Sequence, residues 1–118
     1  MRRLVLIAVL ASLLGGSTGQ AATYPARLGV NADEYSVTLS RLKVPHGLVK
    51  IELVNVGEDP HDLKLKRIGG THTYAFPRIP PGERATRTFR LAAGTYHVWC
   101  AVGTHRAKGM HALLRVTR

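Results

Sequence analysis

Three residues able to bind a soft metal ion follow one another near the C-terminus. Cys100 is the single cysteine of the chain, His105 lies five residues further on, and Met110 lies five residues after that. A thiolate, an imidazole and a thioether form a ligand set that favours copper over calcium or magnesium. The spacing therefore predicts a copper site on one loop, and the segment that begins at Gly94 is predicted to be the strand that leads into it.

A mononuclear blue-copper site contains two histidines, one cysteine and a weak axial methionine, so this loop lacks one histidine. The candidates are His46, His61, His72, His97 and His111. Along the predicted strand, His97 alternates in the opposite phase to Cys100 and should face away from the metal. His111 directly follows Met110 and is the main rival to His61. The residue pattern alone leaves this choice open.

The N-terminus has the composition of a secretory signal peptide. Two arginines precede an apolar run from Leu4 to Leu14, and small residues follow up to Ala21, which is the order of such a signal. The run is shorter than the roughly 20 residues that a membrane-spanning helix needs. We expect residues 1–21 to be removed on export, residues 22–118 to form one domain, and the mature protein to be periplasmic or secreted.

Export makes the single cysteine informative. Cysteine is often a small buried apolar residue, and methionine often fills a core. In an oxidising compartment, however, cysteines are normally paired in disulfides or absent. An unpaired Cys100 in an exported protein therefore favours metal binding over a packing role.

The chain is strongly basic, with a formal net charge of +10. It carries no nucleic-acid-binding motif, and aromatic residues are sparse among the basic ones, so a nucleic-acid partner is not expected. Attraction to an acidic protein partner or to an anionic membrane surface would explain the charge. Solubility alone is the alternative explanation.

Apolar and polar residues alternate in most of the chain after the signal, which is typical of half-buried strands. The alternating segments are residues 35–40, 49–53, 61–65, 86–91, 94–100 and 111–117. Residues 44–47 and 78–83 are predicted to be turns, and the segment from 71 to 83 is the least regular. In the last strand, Leu113 and Val116 are expected to face the core. Short strands at this spacing predict an all-β antiparallel sandwich or barrel.

The whole region from about residue 24 to residue 117 resembles the cupredoxins, the blue or type 1 copper proteins related to plastocyanin and azurin. The motifs that carry the resemblance are Asn55-Val56-Gly57 followed by His61, Pro81-Gly82-Glu83, Gly94-Thr95-Tyr96, and Cys100-x4-His105-x4-Met110. The ligand spacing is most similar to that of the rusticyanin and sulfocyanin branch. The resemblance implies a Greek-key β-sandwich of about seven to eight strands.

The resemblance also implies the site and its function. His61, Cys100, His105 and Met110 would be the ligands of one copper ion that alternates between Cu(II) and Cu(I). The protein would then be a monomeric one-electron carrier and not an enzyme, with a redox protein such as an acidic cytochrome or an oxidase as partner. The alternative function is copper trafficking, as a periplasmic chaperone or store.

Three features depart from the family pattern. Asp62 stands where plastocyanin and azurin have an asparagine, and its carboxylate could accept the same backbone hydrogen bonds while its negative charge favours Cu(II) over Cu(I). Gly103 lies in a ligand loop without the usual proline. The pair His111-Ala112 follows the axial methionine position in place of the more usual x-Gly.

Overall fold

Alternating apolar and polar residues form nine β-strands in the computed structural model, which describes residue 15 and residues 24–118. The strands are β1 (Ala26–Asp33), β2 (Ser36–Leu39), β3 (Lys43–Pro45), β4 (Gly47–Asn55), β5 (His61–Arg67), β6 (Thr73–Ile79), β7 (Arg84–Leu91), β8 (Gly94–Trp99) and β9 (His111–Thr117). Apart from residue 15, the predicted signal peptide lies outside the described residues. Within the described part of the chain, no helix has the length and apolar character needed to cross a membrane.

The strands form two sheets that pack face to face. One sheet has the order β2-β1-β4-β7, and the other has the order β3-β9-β8-β5-β6. Residues that point inward from both sheets make one apolar core, which includes Val30, Ile51, Leu65, Phe76 and Val98, all fully buried. The predicted all-β sandwich is therefore confirmed, with nine strands in residues 24–118 where seven to eight were expected.

The sheets are mixed, although the sequence pattern predicts an antiparallel arrangement. β1 runs parallel to β4, and β3 runs parallel to β9. β1 is not among the predicted strands, and the irregular segment from 71 to 83 contains β6. Pro77 lies within β6 and has no backbone N–H to donate. This is tolerated because β6 is an edge strand, with no further strand on its outer side that would need the hydrogen bond.

The pairing of β8 with β5 and β9 places the metal-binding candidates at one end of the sandwich. Lys64 is opposite Trp99 across the β5–β8 pair, so the start of β5 lies beside the end of β8. His61 begins β5, and Cys100 directly follows β8. Two segments that are 39 residues apart in sequence therefore meet at the same edge of the sheet.

The prediction that Leu113 faces the core is wrong. Leu113 is 55% exposed, whereas Leu114 is fully buried and Val116 is almost so. Leu113 and Val116 are three residues apart and therefore point to opposite faces of a strand, whereas Ala112, Leu114 and Val116 share one apolar phase. The register agrees with this phase, because Leu114 is opposite the buried Tyr96 whereas Leu113 is opposite the exposed His97.

This register predicts very different effects for the two leucines. Leu114→Ala should lower the free energy of unfolding by about 2–5 kcal/mol, because it leaves a cavity in the core. Leu113→Ala is the matched control and should change it by no more than about 0.5 kcal/mol. Urea unfolding of both metal-free variants would measure this. Equal losses would contradict the assigned register of β9.

Candidate metal centre

Three side chains converge in the interior at the end of the sandwich. The Sγ atom of Cys100 lies 3.8 Å from Nδ1 of His61 and 3.8 Å from Nδ1 of His105. All three atoms lie within 4.8 Å of one another, and all three residues are buried. In the described residues, this is the one group of three or more His, Cys, Asp or Glu side chains that could hold a metal ion. A thiolate with two imidazoles is the donor set of a blue-copper centre.

Hydrogen bonds within the loop hold Cys100, His105 and Met110 in place. The backbone N–H of Cys100 donates to the carbonyl of Met110, and the N–H of Met110 donates to the carbonyl of His105. The N–H of His105 in turn donates to the carbonyl of Val102. Met110 is fully buried in the same apolar cluster as Cys100. The loop thus folds back on itself, and its backbone hydrogen bonds hold the three donor residues close together.

A second loop presents His61, and Asn55 organises it. The Asn55 side chain is fully buried, and its Nδ2 donates to the carbonyls of Asp59 and Ile79 at 2.8 and 3.1 Å. Its Oδ1 accepts a hydrogen bond from the N–H of Gly57. This asparagine begins the Asn-x-Gly motif, and its buried amide fixes the turn that returns the chain to the start of β5.

Asp62, the second residue of β5, connects the start of this strand to the loop that follows Cys100. Its Oδ1 accepts a 2.7 Å hydrogen bond from the backbone N–H of Ala101, directly after Cys100. Its Oδ2 lies 3.9 Å from Nζ of Lys64, and the residue is 9% exposed. The expectation that an aspartate could make this backbone contact is confirmed.

Glu34 is a further residue at the site, and the sequence analysis missed it. It lies in the turn between β1 and β2, and its Oε1 is 2.7 Å from Nε2 of His61. Hydrogen bonds from the backbone N–H groups of Glu58 and Asp59 lower the pKa of Glu34 to about 2. No local pattern marks a carboxylate in a turn 27 residues before the histidine, so only the packed structure identifies it.

The outer side of His105 is covered more loosely. Its Nε2 lies 3.6 Å from Oδ2 of Asp59, whose side chain is 48% exposed. The Tyr35 ring packs edge-on against the imidazole at a centroid distance of 5.3 Å, and Nζ of Lys108 lies 4.7 Å from the centre of the same tyrosine ring. His105 is 9% exposed, so a small part of its surface reaches solvent.

The environment of Cys100 makes metal binding coupled to proton release. Burial raises the pKa of the Cys100 thiol above its usual value. The metal-free protein therefore holds a protonated thiol at neutral pH, and a metal must displace that proton to bind the thiolate.

The rival histidines lie away from this cluster. His46, His72, His97 and His111 are exposed. His97 points outward from β8, as its phase predicts, and His111 is opposite Trp99 on the outer face of the sheet. The assignment of metal-ligand roles to His61, Cys100, His105 and Met110 remains a prediction, and the placement of these residues is consistent with it.

Comparison with known proteins decides the family. A family model described as copper binding proteins, plastocyanin/azurin family, matches residues 11–117. The chain belongs to this family. The resemblance to cupredoxins is therefore confirmed, and so is copper as the cofactor, because the buried Cys and His donors fit one type 1 ion. The finer placement near rusticyanin and sulfocyanin stays a prediction.

Several solved structures share the fold. Auracyanin B is 22% identical with a TM-score of 0.67, and the alignment covers 83% of this chain and 94% of that one. Reduced auracyanin from Roseiflexus castenholzii is 19% identical with a TM-score of 0.64, covering 83% and 100%. Copper nitrite reductase from Nitrosomonas europaea is 19% identical with a TM-score of 0.60, covering 80% and 42%. No curated protein matches the chain.

In this cupredoxin, Asp62 contributes both a hydrogen bond to the N–H of Ala101 and a negative charge, and two substitutions separate the two effects. Asp62→Asn keeps an oxygen that can accept from the N–H of Ala101, so it should change the free energy of unfolding little. It removes a negative charge, so the reduction potential of the copper-loaded protein should rise. Asp62→Ala removes the acceptor as well and should also destabilise the metal-free protein by about 1–3 kcal/mol.

Urea unfolding and voltammetry of both variants would measure the two effects. A potential that does not rise in Asp62→Asn would contradict the assigned effect of the charge. Equal stability of the two variants would contradict the structural role of the hydrogen bond.

Proposed function

We propose that this cupredoxin is an exported, monomeric one-electron carrier whose single copper ion is held by His61, Cys100, His105 and Met110. The observation that carries the proposal is the buried convergence of two imidazole nitrogens on the Cys100 sulfur. The family match supports copper binding, and the predicted signal peptide supports export. A bound copper ion would supply the one-electron chemistry by alternating between Cu(II) and Cu(I).

The polypeptide holds the donor atoms in fixed positions and excludes water from them. His61 begins β5, Cys100 directly follows the paired strand β8, and Asp62 links the start of β5 to the loop after β8. The paired strands and this hydrogen bond limit how far the donors can move when the charge at the site changes. The reorganisation energy of electron transfer is therefore small. Burial excludes water from the donors, and the hydrogen bonds around them set the potential.

The burial of the donors supports a carrier over a copper chaperone or store. A protein that passes copper on needs donors that a recipient can reach, whereas Cys100 and Met110 are fully buried. A carrier is also favoured over an enzyme, because the described residues contain one metal-binding cluster and it lies beneath the surface.

We place the docking surface for an acidic redox partner on the outer face of the five-stranded sheet. β3, β6, β8 and β9 contain no aspartate or glutamate. Lys43 and Arg115 are opposite each other on this face, and Lys66 is opposite His97. Asp62, near the start of β5, lies 3.9 Å from Lys64 and is the one acidic residue in the five strands of this sheet. The strands of this face therefore carry several positive charges and one negative charge.

Trp99 connects this face to the metal centre. It directly precedes Cys100, and the guanidinium of Arg106 lies 4.5 Å from the centre of its indole ring. Trp99 lines an open groove of about 480 Å³ together with Lys66, Arg67, Ile68, His97 and Arg106. An acidic protein bound there would be one residue away from the copper-binding cysteine, which favours this face over the opposite sheet.

The ligand assignment predicts the colour of the copper-loaded protein. The protein should show the intense visible absorption and the paramagnetic-resonance spectrum of a type 1 site, and Cys100→Ser should abolish both. His111→Gln is the control, because His111 is exposed and should leave both spectra unchanged. A blue Cys100→Ser protein would refute the assignment, as would loss of the colour in His111→Gln.

The docking proposal predicts a local effect of charge. The bimolecular rate of electron transfer with an acidic cytochrome should fall with rising salt. Salt shortens the distance over which opposite charges attract, and this screening length is about 8 Å at physiological ionic strength. Lys66→Glu should slow the reaction several-fold, whereas Lys50→Glu, the same change on the outer face of the other sheet, should slow it less. Stopped-flow kinetics with an uncharged reductant would show whether the copper site itself is unaffected.

Two results would contradict this proposal. Equal slowing by the two variants would mean that net charge, and not this face, attracts the partner. A rate that is independent of salt would leave solubility as the explanation of the basic composition.

A further inference from the structure

Glu34 makes a close contact with a predicted copper ligand from outside both ligand loops. Its Oε1 lies 2.7 Å from Nε2 of His61, which is a distance typical of a charge-assisted hydrogen bond. The His61 side chain is fully buried, and the Glu34 side chain is 19% exposed. The contact therefore lies at the inner edge of a shielded region, where solvent screens it weakly.

The loop before β5 holds this carboxylate in a fixed orientation. The N–H of Glu58 lies 3.1 and 3.0 Å from the two Glu34 oxygens, and the N–H of Asp59 donates to Oε1 at 2.8 Å. Gly57 lies so close that a side chain there would collide with the carboxylate. These backbone donors stabilise the ionised form of the carboxylate.

An ionised carboxylate can only accept hydrogen bonds, so the contact specifies the state of the histidine ring. Nε2 of His61 must carry the proton, which leaves the lone pair on Nδ1. Nδ1 is the atom that faces the Cys100 sulfur at 3.8 Å. A carboxylate behind a histidine ligand also makes that ligand a stronger donor.

We propose, on the basis of the function proposed above, that Glu34 is a positioning residue that holds His61 in the Nε2–H tautomer and strengthens its Nδ1 as a donor to Cu(II). The carboxylate adds negative charge behind the ligand, so it favours the more highly charged Cu(II) over Cu(I). Glu34 thereby lowers the reduction potential of the centre. It also joins the β1–β2 turn to the loop that presents His61.

The contact between His105 and Asp59 can be compared directly with the contact between His61 and Glu34. Nε2 of His105 faces Oδ2 of Asp59, but at 3.6 Å and with the carboxylate half exposed to solvent. This contact is longer and better screened than the one between Glu34 and His61. Asp59→Asn removes the same charge from the same end of the protein and is therefore a matched control.

Three variants separate the contact from the charge. Glu34→Ala removes both, and we expect a loss in Cu(II) affinity of about 10-fold or more together with a higher reduction potential. Glu34→Gln keeps a neutral acceptor, so we expect a higher potential with the ring still in place. Asp59→Asn should change the affinity and the potential less than either. Competition with a chelator would measure the affinity, and voltammetry would measure the potential.

Nitrogen-15 NMR of the metal-free protein tests the proposal without copper. The His61 ring of the unmodified protein should show a protonated, exchange-protected Nε2, and Glu34→Ala should lose that protection whereas Asp59→Asn should keep it. An unmodified protein in which His61 carries the proton on Nδ1 would overturn the proposal. So would a Glu34→Ala variant that loses stability but matches Asp59→Asn in potential, because that result indicates a purely structural tether.

These readouts distinguish failure of this inference from failure of the proposed function. If the copper-loaded protein lacked a type 1 spectrum or a reversible potential, the carrier function would fail, yet the tautomer of His61 would still test the contact with Glu34. If the spectrum and potential are present but insensitive to Glu34→Ala and Glu34→Gln, the carrier function stands and the role of Glu34 is refuted.

Discussion

The metal centre depends on one hydrogen bond that joins two distant parts of the chain, the start of β5 and the loop after β8. The N–H of Ala101 donates to Asp62, so the residue after the cysteine is tied to the residue after the histidine. The pairing of β5 with β8 brings the loops to the same edge of the sheet, and this bond sets their separation. The bond therefore adds a direct connection next to both donors to the restraint that strand pairing and the hydrogen bonds within the Cys100 loop provide.

Carboxylates collect around the centre of a protein that is otherwise basic. The chain has seven acidic residues, and three of them, Glu34, Asp59 and Asp62, contact the two histidine rings or the cysteine loop. Their charges act over a few ångströms in a partly buried region, where screening is weak. The lysines and arginines lie mostly on the outer faces of the sheets and act at longer range on whatever approaches. The two sets of charge thus serve different purposes, one at the copper and one at the surface.

Much of the frame could be predicted because it depends on local alternation. Val49, Ile51 and Leu53 alternate with polar residues, and all three are fully buried as expected. The pattern was misjudged in β9 and is interrupted near β6. In β9, Ala112, Leu114 and Val116 share the apolar phase, and Leu113 lies in the polar one. Near β6, prolines and glycines break the alternation, and the pairing with β5, which the local sequence does not contain, decides that this segment is a strand.

The sequence by itself determined the loop donors, because the spacing of Cys100, His105 and Met110 within one short segment limits how far apart they can lie. It also determined the family, since the matching motifs extend over the whole domain. The residue pattern left the second histidine open, and the family resemblance implied His61. Only the tertiary structure brings His61 against the cysteine, and only it revealed Glu34 behind that histidine. These contacts join residues 27 and 39 positions apart, and strand pairing, which is a non-local property, creates them.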